Sequence, residues 1–167
     1  NGEQDRDHAK PALAGSRTGG RHTLEIPHKG VTVSNGRPAS IIDNMTRTNI
    51  PGTSPYEPII GFSRAVRIGN HVHVSGSGPV GADDASPAEQ TRAAIAIIQA
   101  ALEKAGARIE HVYRTRIFLA RAENWEEIGR AHGEVFGTIR PACTMVVAPL
   151  LSPKWHVEIE AEAYIPA

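Results

Sequence analysis

Glu158, Glu160 and Glu162 recur at every second position near the C-terminus, and Arg114 and Arg116 do the same in Val112–Leu119. Such alternation puts each set on one face of a strand. If the two strands are neighbours, the groups can pair across the sheet, and an ion-pair ladder is the reading the pattern favours. The sharper reading leaves one carboxylate free to act on a water or a substrate. Other residues offer less. His71 and His73 share a strand face, and His132 or His156 could add an imidazole, but no Cys or Asp accompanies them at ligand spacing, so no metal site is expected. Ser75-Gly76-Ser77-Gly78 follows a strand yet lacks the lysine of a P-loop, the spacing of a dinucleotide fingerprint and an immediate helix. Close backbone approach explains these glycines more simply. Cys143 has no histidine in a local pattern and no nucleophile elbow around it, and it reads as a small buried thiol on a strand.

The elements that must position these groups are legible from Arg64 onward. Ala65–Ile68 and His71–Ser75 read as strands joined by a tight turn at Gly69-Asn70. Ser86, Pro87 and Glu89 form a helix start with a capping box, and apolar residues from Ala94 to Ala105 then keep helical spacing until Gly106. In the strand Val112–Leu119, Tyr113, Thr115, Ile117 and Leu119 are expected on one face and Val112, Arg114, Arg116 and Phe118 on the other. Asn124 and Glu127 are expected to open a second helix whose apolar side is Trp125, Ile128, His132, Val135 and Phe136. Cys143–Val147 and Trp155–Ile165 read as the last two strands. The order ββαβαββ implies an α+β fold: one mixed sheet with two helices on one face. The opposite sheet face, with Val112 and Phe118, is too apolar to stay wet and is expected to pack against other subunits.

Composition bounds the rest. The 167 residues suffice for one domain, and 40% hydrophobic against 22% charged residues can bury a core. Lysine plus arginine balances aspartate plus glutamate at 18 each, so no global field is available to hold a nucleic acid. The longest apolar runs fall short of a bilayer span, and the single cysteine excludes an internal disulfide. A soluble cytoplasmic protein is expected, with neither a membrane nor a nucleic-acid partner. Residues 1–44 lack Phe, Trp and Tyr and hold six glycines and three prolines. That composition reads as a disordered extension, with Met45 as the natural start and 45–167 as the domain. A strand pair around His22–Ile26 and Val31–Ser34 is the less favoured alternative.

A family resemblance enters through Ile60-Gly61-Phe62-Ser63-Arg64-Ala65-Val66-Arg67-Ile68-Gly69-Asn70, followed by Val74-Ser75-Gly76. It continues through Glu89-Gln90-Thr91-Arg92, Val112–Leu119, Arg140-Pro141-Ala142-Cys143-Thr144 and Val157-Glu158-Ile159-Glu160-Ala161. In order and content these segments resemble the Rid family, also called YjgF or L-PSP, over roughly residues 52–165. The resemblance implies a chorismate-mutase-like fold, a homotrimer, and a small-molecule cleft at each subunit boundary. It also implies, in the deaminase branch, hydrolysis of enamines and imines such as 2-aminoacrylate without a cofactor. Carried over by residue, it places Phe62, Ser75, Gly76, Gly129, Cys143 and Thr144 along the cleft as substrate-binding positions, with Glu158 as the catalytic group that positions water. The match departs from the pattern at three places. Phe62 stands where the branch has a tyrosine, Gly129 where it has an asparagine, and Cys143 where it has the arginine that binds the substrate carboxylate. A thiol cannot replace a bidentate guanidinium. Arg140 lies three positions earlier, and on a regular strand that odd offset points it to the opposite face.

Two functions compete on these grounds. One is hydrolysis of an imine, enamine or related metabolite with Glu158 orienting the water, although 2-iminopropionate itself is a poor candidate. The alternative is a trimer that binds a small ligand without turning it over. Ribonuclease activity, reported for some relatives, is disfavoured by the neutral charge and the lack of a clustered basic and aromatic surface.

Overall fold

Gly69, at φ 58°, and Asn70 turn the chain between β2 (Ala65–Ile68) and β3 (His71–Ser77), as the dipeptide predicts. The computed structural model describes residues 46–167, so the expectations for residues 1–44, tail or strand pair, and for Met45 lie outside the described residues. Helix α1 (Pro87–Lys104) begins on the expected capping box: Ser86 Oγ accepts from the Glu89 amide at 3.3 Å, and the Ser86 amide donates to Glu89 Oε2 at 2.9 Å. It leads to β4 (Val112–Leu119), then α2 (Trp125–Phe136), β5 (Ala142–Val147) and β6 (Val157–Tyr164).

One strand was not legible beforehand. Arg47–Ile50 forms β1, an edge strand antiparallel to β2, with three of its four residues exposed. Four mostly polar residues carry no alternation signal, and only the β2 edge makes a strand of them. The sheet runs β1-β2-β3-β6-β4-β5, antiparallel except for the parallel β4–β5 pair. Both helices follow β-strands as crossovers, and α1 passes over β6 to join the parallel strands β3 and β4. The α+β class and its mixed sheet stand, with β1 added in front of the expected order.

The core lies between the helices and one sheet face. Ile95, Ile98 and Leu102 of α1, with Ile128 and Phe136 of α2, pack on Val72, Ile117, Ile159 and Val157. Two expectations about faces need correction. A bulge in β4, where Val112 pairs with Ala163 but Arg114 pairs with Glu162, leaves Tyr113 as the extra residue. Val112 is therefore buried on the helix side, while Tyr113 is exposed and donates from its hydroxyl to Glu162 Oε2 at 3.0 Å. On α2, Trp125 is exposed rather than part of the apolar side, and Ala131 is buried instead. Nor does Asn124 cap α2 with its side chain; the Glu127 carboxylate accepts from the Ala88 amide at the start of α1, 3.0 Å away. That contact places an anion at a helix N-terminus and ties the two helices together.

Candidate functional site

The bulge that builds the site is in β3. Val74 pairs with Ala161 and Ser77 with Ile159, so Ser75 and Gly76 together oppose Glu160 alone. The extra residue breaks the alternation, and Ser77 is buried. Ser75 ties the bulge to the preceding loop: its amide donates to Arg64 O at 3.0 Å and its hydroxyl to Ser63 O at 2.8 Å. Over Gly76 lies the Glu158 carboxylate, and a Cβ on residue 76 would fall inside it. A side chain at residue 76 would push the Glu158 carboxylate out of this position.

Glu158 has no arginine opposite it in the sheet. Arg116 Nη1 meets Glu160 Oε1 at 2.6 Å, and Arg114 stands opposite Glu162, whereas the register partner of Glu158 is Phe118. Among the described residues neither Glu158 nor Glu162 enters an ion pair, and Glu162 instead accepts from the Tyr113 hydroxyl. Burial pushes its pKa up, the positive charge of Arg64 pulls it back, and the neighbouring Glu160 raises it again. A half-buried carboxylate held in this way can accept a hydrogen bond from a water and take its proton.

Arg64 is the residue that sequence reasoning passed over, as the flank of a strand. Its Nη1 donates to Gly76 O at 2.6 Å, to Ser77 Oγ at 3.0 Å and to Ser75 O at 3.2 Å, so one nitrogen closes the bulge. The guanidinium carbon lies 5.8 Å from the centre of the Phe62 ring, within cation–π range. Burial lowers the Arg64 pKa despite the opposing influence of Glu57 and Glu158. An arginine directly before an alternating strand, eleven residues ahead of a Ser-Gly-Ser-Gly run, was the available signal.

The expected site residues fall into separate groups within one chain. Phe62, Ser75, Gly76 and Glu158 gather around the β3 bulge. Cys143 pairs with Thr115, a buried residue on the helix side, and is itself exposed rather than buried. Gly129 on α2 faces Met145 of the same β5 face: a Cβ built on it would stand 3.4 Å from Met145 Cε. Thr144 pairs with Arg116 on the other, helix-free face. Cys143 and Glu158 therefore project from opposite faces of the sheet. Arg140 lies before β5 and is exposed, with a left-handed backbone at φ 52° and its amide donating to Phe136 O at 2.8 Å. Strand alternation does not apply to it.

The histidines are dispersed. His71 and His73 stack on the helix-free face with ring centres 6.5 Å apart. His132 is buried on the other side with Nε2 3.1 Å from Thr115 Oγ1, and His156 Nδ1 lies 3.4 Å from Asn124 Nδ2. Among the described residues no three His, Cys, Asp or Glu side chains are placed to hold a metal ion.

The approach of β6 to the site is set by Gln90, fully buried on α1. Its Nε2 donates to Lys154 O at 2.9 Å, Ala82 O at 3.1 Å and Asp83 O at 3.2 Å, and its Oε1 accepts from the His156 amide at 2.7 Å. The Trp155 ring packs over Gly78, and its Nε1 donates to Asp83 Oδ1 at 3.2 Å. The segment leading into Val157 and Glu158 is thereby clamped to the first helix.

Comparison with known proteins bears on the family and the fold. The profile of the Endoribonuclease L-PSP family matches residues 52–165. An uncharacterised protein of Streptomyces coelicolor is 38% identical over 116 residues, covering 66% of this chain and 87% of that protein. A RutC family protein of Pyrococcus abyssi is 30% identical over 113 residues, covering 65% and 89%. Among solved structures, a member of the YjgF/YER057c/UK114 family from Mycobacterium tuberculosis superposes with a TM-score of 0.68 at 43% identity, covering 72% of this chain and all of that one. The resemblance read from the sequence and the fold lead to the same place: the chain belongs to the L-PSP family, also called the YjgF or Rid family.

Proposed function

We propose that this protein is a cofactor-free small-molecule hydrolase of the C=N type, acting in clefts of a homotrimer, with Glu158 holding and deprotonating the attacking water. The observation that carries this reading is Glu158 itself: half-buried, outside the Arg116–Glu160 ion pair, and lying in the space that the missing side chain of Gly76 leaves. The separation of the expected residues supports the trimer. Glu158 lies with Phe62, Ser75 and Gly76, whereas Gly129 and Cys143 lie across the sheet, so one cleft would draw the two groups from adjacent copies. The helix-free face, with Phe118 half-buried and Val146 exposed, would be covered by those copies.

The chemistry follows from the groups present. A water donating to Glu158 adds to the carbon of a C=N bond, and its proton passes through the carboxylate to the nitrogen, giving a carbinolamine. The carbinolamine hydroxyl then gives its proton up to the carboxylate as C=O forms, the C–N bond breaks, and the carboxyl returns the proton to the departing nitrogen. The test is release of ammonia or amine from a panel of freshly generated imines and enamines, with Glu158→Gln as the control. The reading requires at least one member of the panel to be hydrolysed by the wild type and spared by the variant. If none is, while mass spectrometry of the purified protein finds a retained small molecule, the cleft is a binding site without turnover.

A further inference from the structure

Arg64 uses only one of its three nitrogens to hold the β3 bulge. Nη1 serves Ser75 O, Gly76 O and Ser77 Oγ. Nε and Nη2 donate to no acceptor among the described residues. These two nitrogens form one edge of the guanidinium, with parallel N–H groups spaced to meet the two oxygens of a carboxylate. The same molecule shows what that edge does when it is satisfied: Arg92 donates from Nε and Nη2 to the two oxygens of Glu134, both at 2.7 Å.

No carboxylate of the described chain fills that role for Arg64. Glu57 directs both oxygens at the Gly52 amide, at 2.9 and 3.1 Å, and Glu158 lies over Gly76 outside ion-pair distance. The guanidinium is half-buried, and burial disfavours its charge more than the two carboxylates favour it. A half-buried cation whose free two-pronged edge opens to solvent, backed by the Phe62 ring, has that edge available to a carboxylate.

We infer that Arg64 is the specificity-determining residue of the site, selecting a small ligand whose carboxylate docks on the Nε–Nη2 edge beside Glu158. This rests on the reading of the Glu158 cluster as the ligand site. Arg64 is not a substitute for the arginine missing at Cys143. It lies on the Glu158 side of the cleft, so the ligand's carboxylate sits next to the water-holding group rather than across from it. Binding and turnover are thereby separable.

Propionate and propionamide, equal in size and differing in charge, are the probes, titrated against the full-length protein and followed by NMR of backbone amides and the Arg64 Nε–H. Propionate should shift the Ser75–Ser77 amides and Arg64 Nε–H and bind about tenfold or more tightly than propionamide. Arg64→Gln should erase the preference, and Arg64→Lys should keep part of it, retaining the charge without the fork. Glu158→Gln should tighten propionate binding by removing a neighbouring negative charge. Equal affinity for the two probes, or a preference that survives Arg64→Gln, overturns the inference. If Arg64→Gln does not fold, the wild-type Arg64 Nε–H decides: a resonance that propionate leaves unmoved overturns it equally. Should the hydrolase reading fail while Glu158→Gln still prefers propionate, the selectivity stands and the catalysis falls.

Discussion

A single atom's worth of space governs the chemistry at residue 76. Because a Cβ there would occupy the position of a Glu158 carboxylate oxygen, the tip of a flexible side chain, Gly76→Ala should turn that carboxylate aside at a cost to the fold below about 1 kcal/mol, under the usual range for overpacking. Denaturant titration of a double-mutant cycle checks the cause: with Glu158→Ala in place, Gly76→Ala should cost less. Burial raises the pKa of Glu158, so its folded state binds a proton more tightly than its unfolded state. Its contribution is then full below the unfolded pKa and is lost as pH rises through the folded one. Glu158→Gln should accordingly be more stable than wild type at neutral pH, with the difference shrinking towards pH 4. A variant less stable at pH 7 would show that Arg64 outweighs burial. At position 143 the missing guanidinium should hold 2-iminopropionate hydrolysis to little or no acceleration. Losing one charged donor costs about 2–4 kcal/mol of transition-state stabilisation, a factor of roughly thirty to a thousand. Cys143→Arg should recover part of that activity, read as pyruvate released from fresh 2-aminoacrylate, and adding Glu158→Ala should remove it.

Between elements, polar contacts in buried seams decide register and placement. Gln90 joins α1 to the loop before β6 through the Lys154 carbonyl and the His156 amide, and to the segment before α1 through the Ala82 and Asp83 carbonyls. Replacing it with Leu leaves those groups without partners, at an expected cost of about 2–4 kcal/mol from unmet buried hydrogen bonds. Denaturant unfolding measures the cost, and amide exchange at His156 should quicken if the clamp is what holds the loop. The seam of α2 and β4 contains His132, stacked on Phe136 and bonded to Thr115. Burial lowers its pKa, so the neutral imidazole is the folded form. Its stabilisation is complete above the unfolded value near 6.5 and is lost as pH falls through the lower folded value. Unfolding free energy should therefore decline below pH 6.5, and the decline should lessen in the paired variant Thr115→Val/His132→Leu. An unchanged slope would assign the acid sensitivity elsewhere.

At the scale of the whole molecule, the proposed trimer is open to direct measurement. Light scattering at micromolar concentration should return three times the chain mass. Val146→Asp, which puts a charge on the helix-free face of edge strand β5, should shift the protein to monomer and abolish any activity that needs both groups of site residues. A Val146→Asp monomer with full activity would locate the site within one chain.

The amino-acid sequence by itself determined the elements whose signals are local. The Gly69-Asn70 turn, the Ser86–Glu89 cap, the helical spacing to Ala105 and the alternating glutamates of β6 each depend on neighbours a few residues away. Strand β1 could not be read because four mostly polar residues become a strand only when the edge of β2 accepts them. The bulges at Tyr113 and at Ser75-Gly76 were hidden for a related reason: alternation is a property of one strand, whereas a bulge is a mismatch between two. Those bulges made the site. They took Val112 into the core, brought Ser77 and Gly76 under Arg64, and opened the space that Glu158 fills. Glu158 was recognisable as one of three alternating glutamates, but that Phe118 rather than an arginine stands opposite it followed from register alone. Arg64 read only as the flank of a strand, since its importance lies in two carbonyls and a hydroxyl eleven to thirteen residues away that the β3 bulge turns towards it. Local propensity selects helices, strands and turns, and only the pairing of distant strands decides which charges meet and which are left over.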